Sequence, residues 1–213
     1  MQHNVSKLCA DSLRTFIDKK YGAKLKAAHA HELAAAYFGY PSKNALLADT
    51  KYPINNLAQA EIIVMIPDEV IDRRRKKLQG LPSELPDSYT LGEAVYTSLF
   101  SDERWTSQYP PFRSFEKLAK FFIENNDAYQ DIFKFYRDIP VHHHIDIEAS
   151  ENVVLLSVIH SHKASTGEML GHGQTTIELP RVAGSIGFRE PKVTVGQWTG
   201  GARRTLTSQG EWS

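Results

Sequence analysis

A change of periodicity near Pro140 is the feature that most restricts what this chain can fold into. Before it, apolar residues recur every three or four positions, which is the spacing of one face of an α-helix. After it, apolar and polar residues alternate in short runs separated by Gly and Pro, as in antiparallel strands. The sequence therefore predicts an α+β fold: a helical N-terminal module, then mixed helices, then a C-terminal antiparallel sheet from about residue 141.

Three helices are predicted within the first fifty residues. The apolar positions from Val5 to Ile17 lie on one face of the first helix, and Gly22 is its predicted stop. A second helix is predicted at about 23–38, where Gly39 supplies a left-handed cap. Ser42 is the predicted N-cap of a short third helix.

The polar stretch 50–60 is a candidate linker and divides the chain into two predicted domains. We expect a three-helix, helix-turn-helix-like module at 1–50 and an α+β domain at 61–213. Within the second domain, Thr90 and Glu93 have the spacing of a capping box, which predicts a helix start at Thr90.

Composition excludes several classes of protein. The 213 residues contain 25 Lys plus Arg, 25 Asp plus Glu and a single cysteine, Cys9, which has no partner for an internal disulfide. No apolar run has the length of a membrane span or of a leader peptide, so we expect a cytoplasmic protein with no membrane partner. The first 60 residues carry 8 basic and 4 acidic side chains, which makes this part the candidate for contact with a polyanion.

The segment around Gly39 is typical of a helix-turn-helix. Small residues before the glycine allow two helices to cross closely, and the second helix then presents its first residues to a DNA major groove. The residues so presented are Ser42, Lys43 and Asn44. The alternative is a helical hairpin that only packs against the rest of the fold.

A run of five basic residues is the densest positive patch. It comprises Arg73, Arg74, Arg75, Lys76 and Lys77. Five consecutive residues spread around most of a helix, and acidic residues precede them at ion-pair spacing, so a solvated, ion-paired helix is one interpretation. Contact with the phosphates of a nucleic acid is the other.

Histidines cluster after Pro140 and offer a metal site as an alternative. Alternation places His142 and His144 on one face of a predicted strand, and His160 and His162 on one face of the next. Imidazoles from adjacent strands can bind zinc or iron. A solvated strand face with polar alternation explains the same pattern without a metal.

A family resemblance covers residues 24–49, which read KLKAAHAHELAAAYFGYPSKNALLAD. This segment resembles the short helical module called glyoxalase-related, found in accessory proteins of bacterial plasmids and integrative elements. The matching positions are His29, His31, Glu32, Leu33, Gly39, Tyr40, Ser42, Ala45 and Leu46. The resemblance implies a helical accessory unit rather than an enzymatic activity.

These observations favour a non-enzymatic binding or regulatory protein of a bacterial mobile element that contacts nucleic acid through its N-terminal helices. A metal-dependent enzyme that uses the later histidines is the first alternative. A protein–protein adaptor is the second, because Trp105, Tyr109 and Phe112 form an aromatic, proline-rich loop that could dock a partner.

Overall fold

The α+β class is confirmed by a computed structural model that describes residues 4–101, 107–127, 141–163, 166, 169–197 and 199–200. Helices occupy the N-terminal part and antiparallel strands the C-terminal part. The chain forms two compact units. The first consists of Met1–Ser114 with Arg181–Glu190, and the second of Phe115–Pro180 with Pro191–Ser213.

The first unit is built mainly of helices. They are α1 (Val5–Tyr21), α2 (Ala27–Tyr37), α3 (Lys43–Ala48), α4 (Asp68–Lys77) and α5 (Ser88–Phe100), with a 3-10 helix at Ile54–Gln59. Among the residues that the model describes, no helix combines the length and the apolar character needed to span a bilayer.

Local signals explain where the first helices end. The predicted stop at Gly22 is confirmed, since this residue is left-handed at φ 65° and its N–H bonds to the Asp18 carbonyl. Gly39 follows α2 at φ 83°, as predicted. The Ser42 hydroxyl accepts a bond from the N–H of Ala45 at 3.1 Å and caps α3, also as predicted. The predicted start of α5 at Thr90 is wrong, because Asp87 is the residue that caps this helix, accepting the N–H of Thr90 at 2.7 Å.

A single apolar core joins the helices of the first unit. Fully buried side chains such as Leu13 of α1, Leu33 of α2 and Leu91 of α5 lie in it. The stretch expected to be a linker forms the 3-10 helix, and its Ile54 and Leu57 are buried in the same core. The first unit therefore extends well beyond the predicted module at 1–50.

A small sheet brings a distant segment into the first unit. Strand β1 (Ile62–Ile63) pairs antiparallel with β5 (Gly187–Phe188). Phe188 is fully buried, and the preceding turn bonds to the helical region, with the N–H of Gly184 donating to the Tyr52 carbonyl at 2.8 Å.

The second unit contains helix α6 and an antiparallel sheet. Its elements are α6 (Phe115–Glu124), β2 (Val141–Ala149), β3 (Val153–Lys163), β4 (Met169–Ala183, which belongs to this unit up to residue 180), β6 (Lys192–Val195) and β7 (Thr199–Gly200). Strand β3 lies between β2 and β4, while β6 and β7 pair with β4. Helix α6 packs against β2 and β3 and has Leu118, Ala119 and Ile123 buried. The stretch 128–140, the last part of the region with helical periodicity before the predicted sheet, lies outside the described residues.

Candidate nucleic-acid interface

The turn between α2 and α3 and one face of α4 form the two walls of a surface groove of about 290 Å³. Its lining residues are Ala36, Gly39, Tyr40 and Pro41 from the end of α2 and the turn, and Val70, Arg73, Arg74 and Lys77 from α4. The structure thus places three residues of the predicted basic patch beside the predicted turn. These three are Arg73, Arg74 and Lys77.

The positions of the basic residues around α4 explain why only three of the five line the groove. Val70, Arg73, Arg74 and Lys77 stand at i, i+3, i+4 and i+7, which is one face of a helix. Ile71, which lies about 100° around the helix from Val70, is fully buried and fixes the rotation of α4. The expectation that the five basic residues spread around the helix is therefore confirmed, and only part of the run meets the groove.

Arg75 has a structural role on another side of α4. Its guanidinium lies 3.9 Å from the Asp72 carboxylate and donates to the Ser88 hydroxyl at 3.2 Å. The Ser88 hydroxyl in turn donates to Asp72 at 2.6 Å, and the Tyr37 hydroxyl donates to the Ser88 carbonyl at 2.6 Å. These contacts join α2, α4 and α5, and they agree with the ion-paired interpretation for Arg75.

Glu32 connects the turn to α4. Its Oε2 atom accepts the backbone N–H of Lys43 at 3.2 Å and also the guanidinium of Arg74. Both side chains of this ion pair are about one quarter exposed. The Nε–H of Arg74 is buried and finds no acceptor among the described residues, so Arg74 retains one unsatisfied donor at the groove wall. Glu32 therefore holds α3 and α4 together while Arg74 keeps unused hydrogen-bonding capacity.

Tyr40 is held in place by its own hydroxyl group. The hydroxyl donates to Asp49 Oδ2 at 2.6 Å and lies 3.1 Å from the Tyr52 carbonyl. Burial, and then the bond to Asp49, raise the pKa of Tyr40 well above its ordinary value. Burial alone would raise the pKa of Asp49, but the bonds from Tyr40 and from the N–H groups of Tyr52 and Lys51 outweigh it and lower that pKa. The side chain of Tyr40, which is one of the groove-lining residues, is consequently held in one position.

The predicted DNA-reading residues do not line the groove. The Ser42 hydroxyl caps α3, the Lys43 N–H bonds to Glu32, and Asn44 is exposed on a helix of only six residues. Lys76 is exposed but also does not line the groove. Sequence reasoning missed the contribution of Tyr40, although an aromatic residue directly after a turn glycine was visible in the sequence.

The strand register separates the four predicted metal ligands. In the pairing of β2 with β3, His143 is opposite His160 and Val141 is opposite His162. His142 and His144 occupy the positions opposite Ser161 and Ile159, which belong to the other face of the sheet. The predicted set of His142, His144, His160 and His162 is therefore not brought together.

The two faces give histidines different surroundings. His144 is mostly exposed and lies 3.3 Å from the exposed carboxylate of Asp146, in keeping with the solvated-face interpretation. His160 and His162 are fully buried. The side chain of His142 lies outside the described residues. Within the part of the chain that is described, no three His, Cys, Asp or Glu side chains come together in a way that could hold a metal ion.

A residue that sequence reasoning passed over makes the closest histidine contact. Nδ1 of His143 lies 2.9 Å from Nδ1 of His160, and Nε2 of His160 lies 2.9 Å from the Thr175 hydroxyl. Burial, followed by the neighbouring His143 and His162, lowers the pKa of His160 from 6.5 to about 4. His160 is therefore neutral at pH 7. Between pH 6.5 and about 4 the unfolded chain binds a proton that the folded chain does not, so stability must fall as the pH decreases through this window.

Comparison of the chain with protein-family models, with curated proteins and with solved structures gives no match. The resemblance of residues 24–49 to the glyoxalase-related helical module therefore stays a prediction. The structural features of this segment, the capped α2 and α3 and the groove beside them, stand independently of it.

Proposed function

We propose that this protein is a non-enzymatic accessory protein that binds nucleic acid through the groove between the α2–α3 turn and α4. The observation that supports this most directly is the position of Arg73, Arg74 and Lys77 along one wall of that groove. The mobile-element setting implied by the family resemblance belongs to the same proposal.

The charge of the groove fits a polyanion. Its lining contains three cationic side chains and no acidic one. A second groove of about 490 Å³ beside α1 instead combines Asp11 and Asp18 with basic neighbours, so positive charge is not simply a property of every concave surface in this unit. Local excess of Lys and Arg is what phosphate neutralisation requires.

Arg73 and Lys77 are the residues best placed to contact phosphates. Both are exposed, they stand one helical turn apart on α4, and neither has an ion-pair partner among the described residues. A phosphate contact therefore does not need to break an existing ion pair at these two positions. Arg74, in contrast, would share its guanidinium between the ligand and Glu32.

The test measures binding of a fluorescently labelled oligonucleotide by anisotropy between about 50 and 200 mM salt. We expect the combined Arg73→Ala and Lys77→Ala variant to lose affinity about a hundred-fold or more, because charged hydrogen bonds contribute about 1.5–3 kcal/mol each and two are removed. The slope of log K against log salt should decrease by roughly 1.4 to 1.8, since two phosphate contacts are removed.

The matched control removes the same charge from the other groove, through Lys19→Ala combined with Lys24→Ala. This control should retain the affinity of the unaltered protein. Lys43→Ala with Asn44→Ala should have a smaller effect than the α4 variant, because neither residue lines the groove. Binding that is absent, that does not respond to salt, or that falls equally in the α4 variant and the control would contradict the proposal.

A further inference from the structure

We infer that the groove accepts single-stranded nucleic acid, with an unpaired base against the Tyr40 ring and an adjoining phosphate on Arg73 and Lys77. This inference rests on the proposed function and specifies its ligand. It depends on three observations: the hydrogen bonds and short length of α3, the volume of the groove, and the types of residue on its two walls.

Helix α3 is not built to read a duplex. A recognition helix enters the major groove and offers the side chains of its first residues to base edges. Here the Ser42 hydroxyl accepts the Ala45 N–H. The Glu32 carboxylate, which also binds Arg74 of α4, accepts the backbone N–H of Lys43. The helix is six residues long, and only Asn44 of the expected reading residues is exposed. Of the three expected reading residues, Ser42 thus has its hydroxyl engaged inside the protein, and the backbone N–H of Lys43 is engaged as well.

The groove has the dimensions of a small insertion site. At about 290 Å³ it lies at the lower end of the cavities that hold small molecules, and it is too small to enclose a double helix. A duplex resting on α4 would touch Arg73 and Lys77 without filling the space between α4 and the turn. A base that has left its stack can occupy that space.

The two walls differ in chemistry: one is aromatic and apolar, as contact with a base requires, and the other is positively charged, as contact with a phosphate requires. One wall contains the aromatic residue Tyr40 and Pro41, and the other contains Val70 next to the cations of α4. Stacking of bases on aromatic rings beside a positively charged track is how proteins hold single strands with little sequence preference. Charge complementarity alone would suit any phosphate, whereas the aromatic and apolar wall favours a ligand that also carries a base.

The side chain of Tyr40 is already held in position in the absence of a ligand. Its hydroxyl is committed to Asp49 and Tyr52, and the Cε2 atom of its ring lies 3.2 Å from the position that a Cβ atom on Gly184 would occupy. The ring is therefore supported by the protein on that side. Because the hydroxyl is engaged, Tyr40 offers the ligand its ring rather than a hydrogen bond, which favours stacking over base-specific recognition.

The experiment compares single-stranded and double-stranded oligonucleotides of about 12 nucleotides and the same sequence, a length within the usual range of single-strand sites. We expect the single strand to bind at least ten-fold more tightly. Tyr40→Leu should weaken single-strand binding roughly ten-fold, and Tyr40→Phe should restore most of that loss because the ring is returned. Tyr89→Leu, which removes an exposed tyrosine on α5, is the matched control and should bind normally.

A second measurement on the unaltered protein does not depend on the folding of a variant. A single strand containing 5-iodouracil should photocrosslink to Tyr40, identified by mass spectrometry. Preference for the duplex, equal binding by Tyr40→Leu and Tyr89→Leu, or crosslinks that avoid Tyr40 would each overturn the single-strand inference while leaving nucleic-acid binding in place. Failure of both oligonucleotides to bind would overturn the proposed function itself.

Discussion

Replacing Gly39 by alanine tests how the turn between α2 and α3 packs against the segment Arg181–Glu190. Gly39 has a φ of 83°, and a Cβ atom added to it would lie 2.5 Å from Cβ of Ser185 and 2.8 Å from its hydroxyl oxygen. Ser185 belongs to the 181–190 segment of the first unit, and its N–H donates to the Phe38 carbonyl at 3.2 Å. The new methyl group therefore cannot be placed unless the backbone of one segment moves.

Two costs combine in Gly39→Ala, and another glycine separates them. A left-handed backbone costs an L-residue about 1–2 kcal/mol. Gly22 has nearly the same geometry, at φ 65°, but an added Cβ would meet no atom within 4 Å. Gly22→Ala should therefore cost about 1–2 kcal/mol, while Gly39→Ala should cost about 2–5 kcal/mol, since overpacking adds about 1–3 kcal/mol.

Urea unfolding followed by circular dichroism at the helical band measures both free energies. Ser185→Gly removes the atoms nearest to the added methyl group, so the Gly39→Ala and Ser185→Gly double variant should be more stable than the sum of the single changes predicts. Equal destabilisation by Gly39→Ala and Gly22→Ala, or strict additivity with Ser185→Gly, would show that the 181–190 segment does not pack against this turn.

Two further predictions concern buried polar groups. His160 should contribute a fall of about 3 kcal/mol in the free energy of unfolding between pH 6.5 and about 4, because burial lowers its pKa to about 4 in the folded chain. Titration of His160→Gln should show a shallower decline in that window, and an unchanged profile would refute the assignment. Tyr37→Phe should cost about 1–2 kcal/mol in urea unfolding, because it leaves the buried Ser88 carbonyl without its donor at 2.6 Å. Tyr89→Phe, at a half-exposed position, should cost almost nothing, and equal losses would contradict this reasoning.

Local features of the fold were predictable because their causes lie within a few residues. The stop at Gly22 and the cap at Ser42 depend on one residue and its immediate neighbours, and both are confirmed. The start of α5 shows the limit of such signals. Thr90 and Glu93 satisfy a capping-box pattern, yet Asp87 three residues earlier is an equally good cap and is the one used. Two valid local signals compete there, and the pattern alone does not rank them.

Long-range features were not predictable from spacing. The pairing of β1 with β5 joins residues more than 120 positions apart, and no periodic pattern in the sequence indicates which two short apolar runs will pair as strands. The groove illustrates the same limit. Helical spacing shows that Arg73 and Lys77 share a face, but only the fold reveals that this face meets Tyr40 while Arg75 turns toward Ser88.

The histidines show how much depends on a single residue of register. Alternation along β2 and along β3 correctly assigns odd- and even-numbered residues of each strand to opposite faces of the sheet. It does not determine which residue of β2 pairs with which residue of β3. The hairpin decides that: the N–H of Ser150 bonds to the Val153 carbonyl at 2.9 Å, and Ala149 then pairs with Val154. With one residue more or fewer in this turn, His160 would meet His142 or His144. With the turn that is present it meets His143, so the four histidines of the alternative metal-site interpretation are divided between the two faces of the sheet.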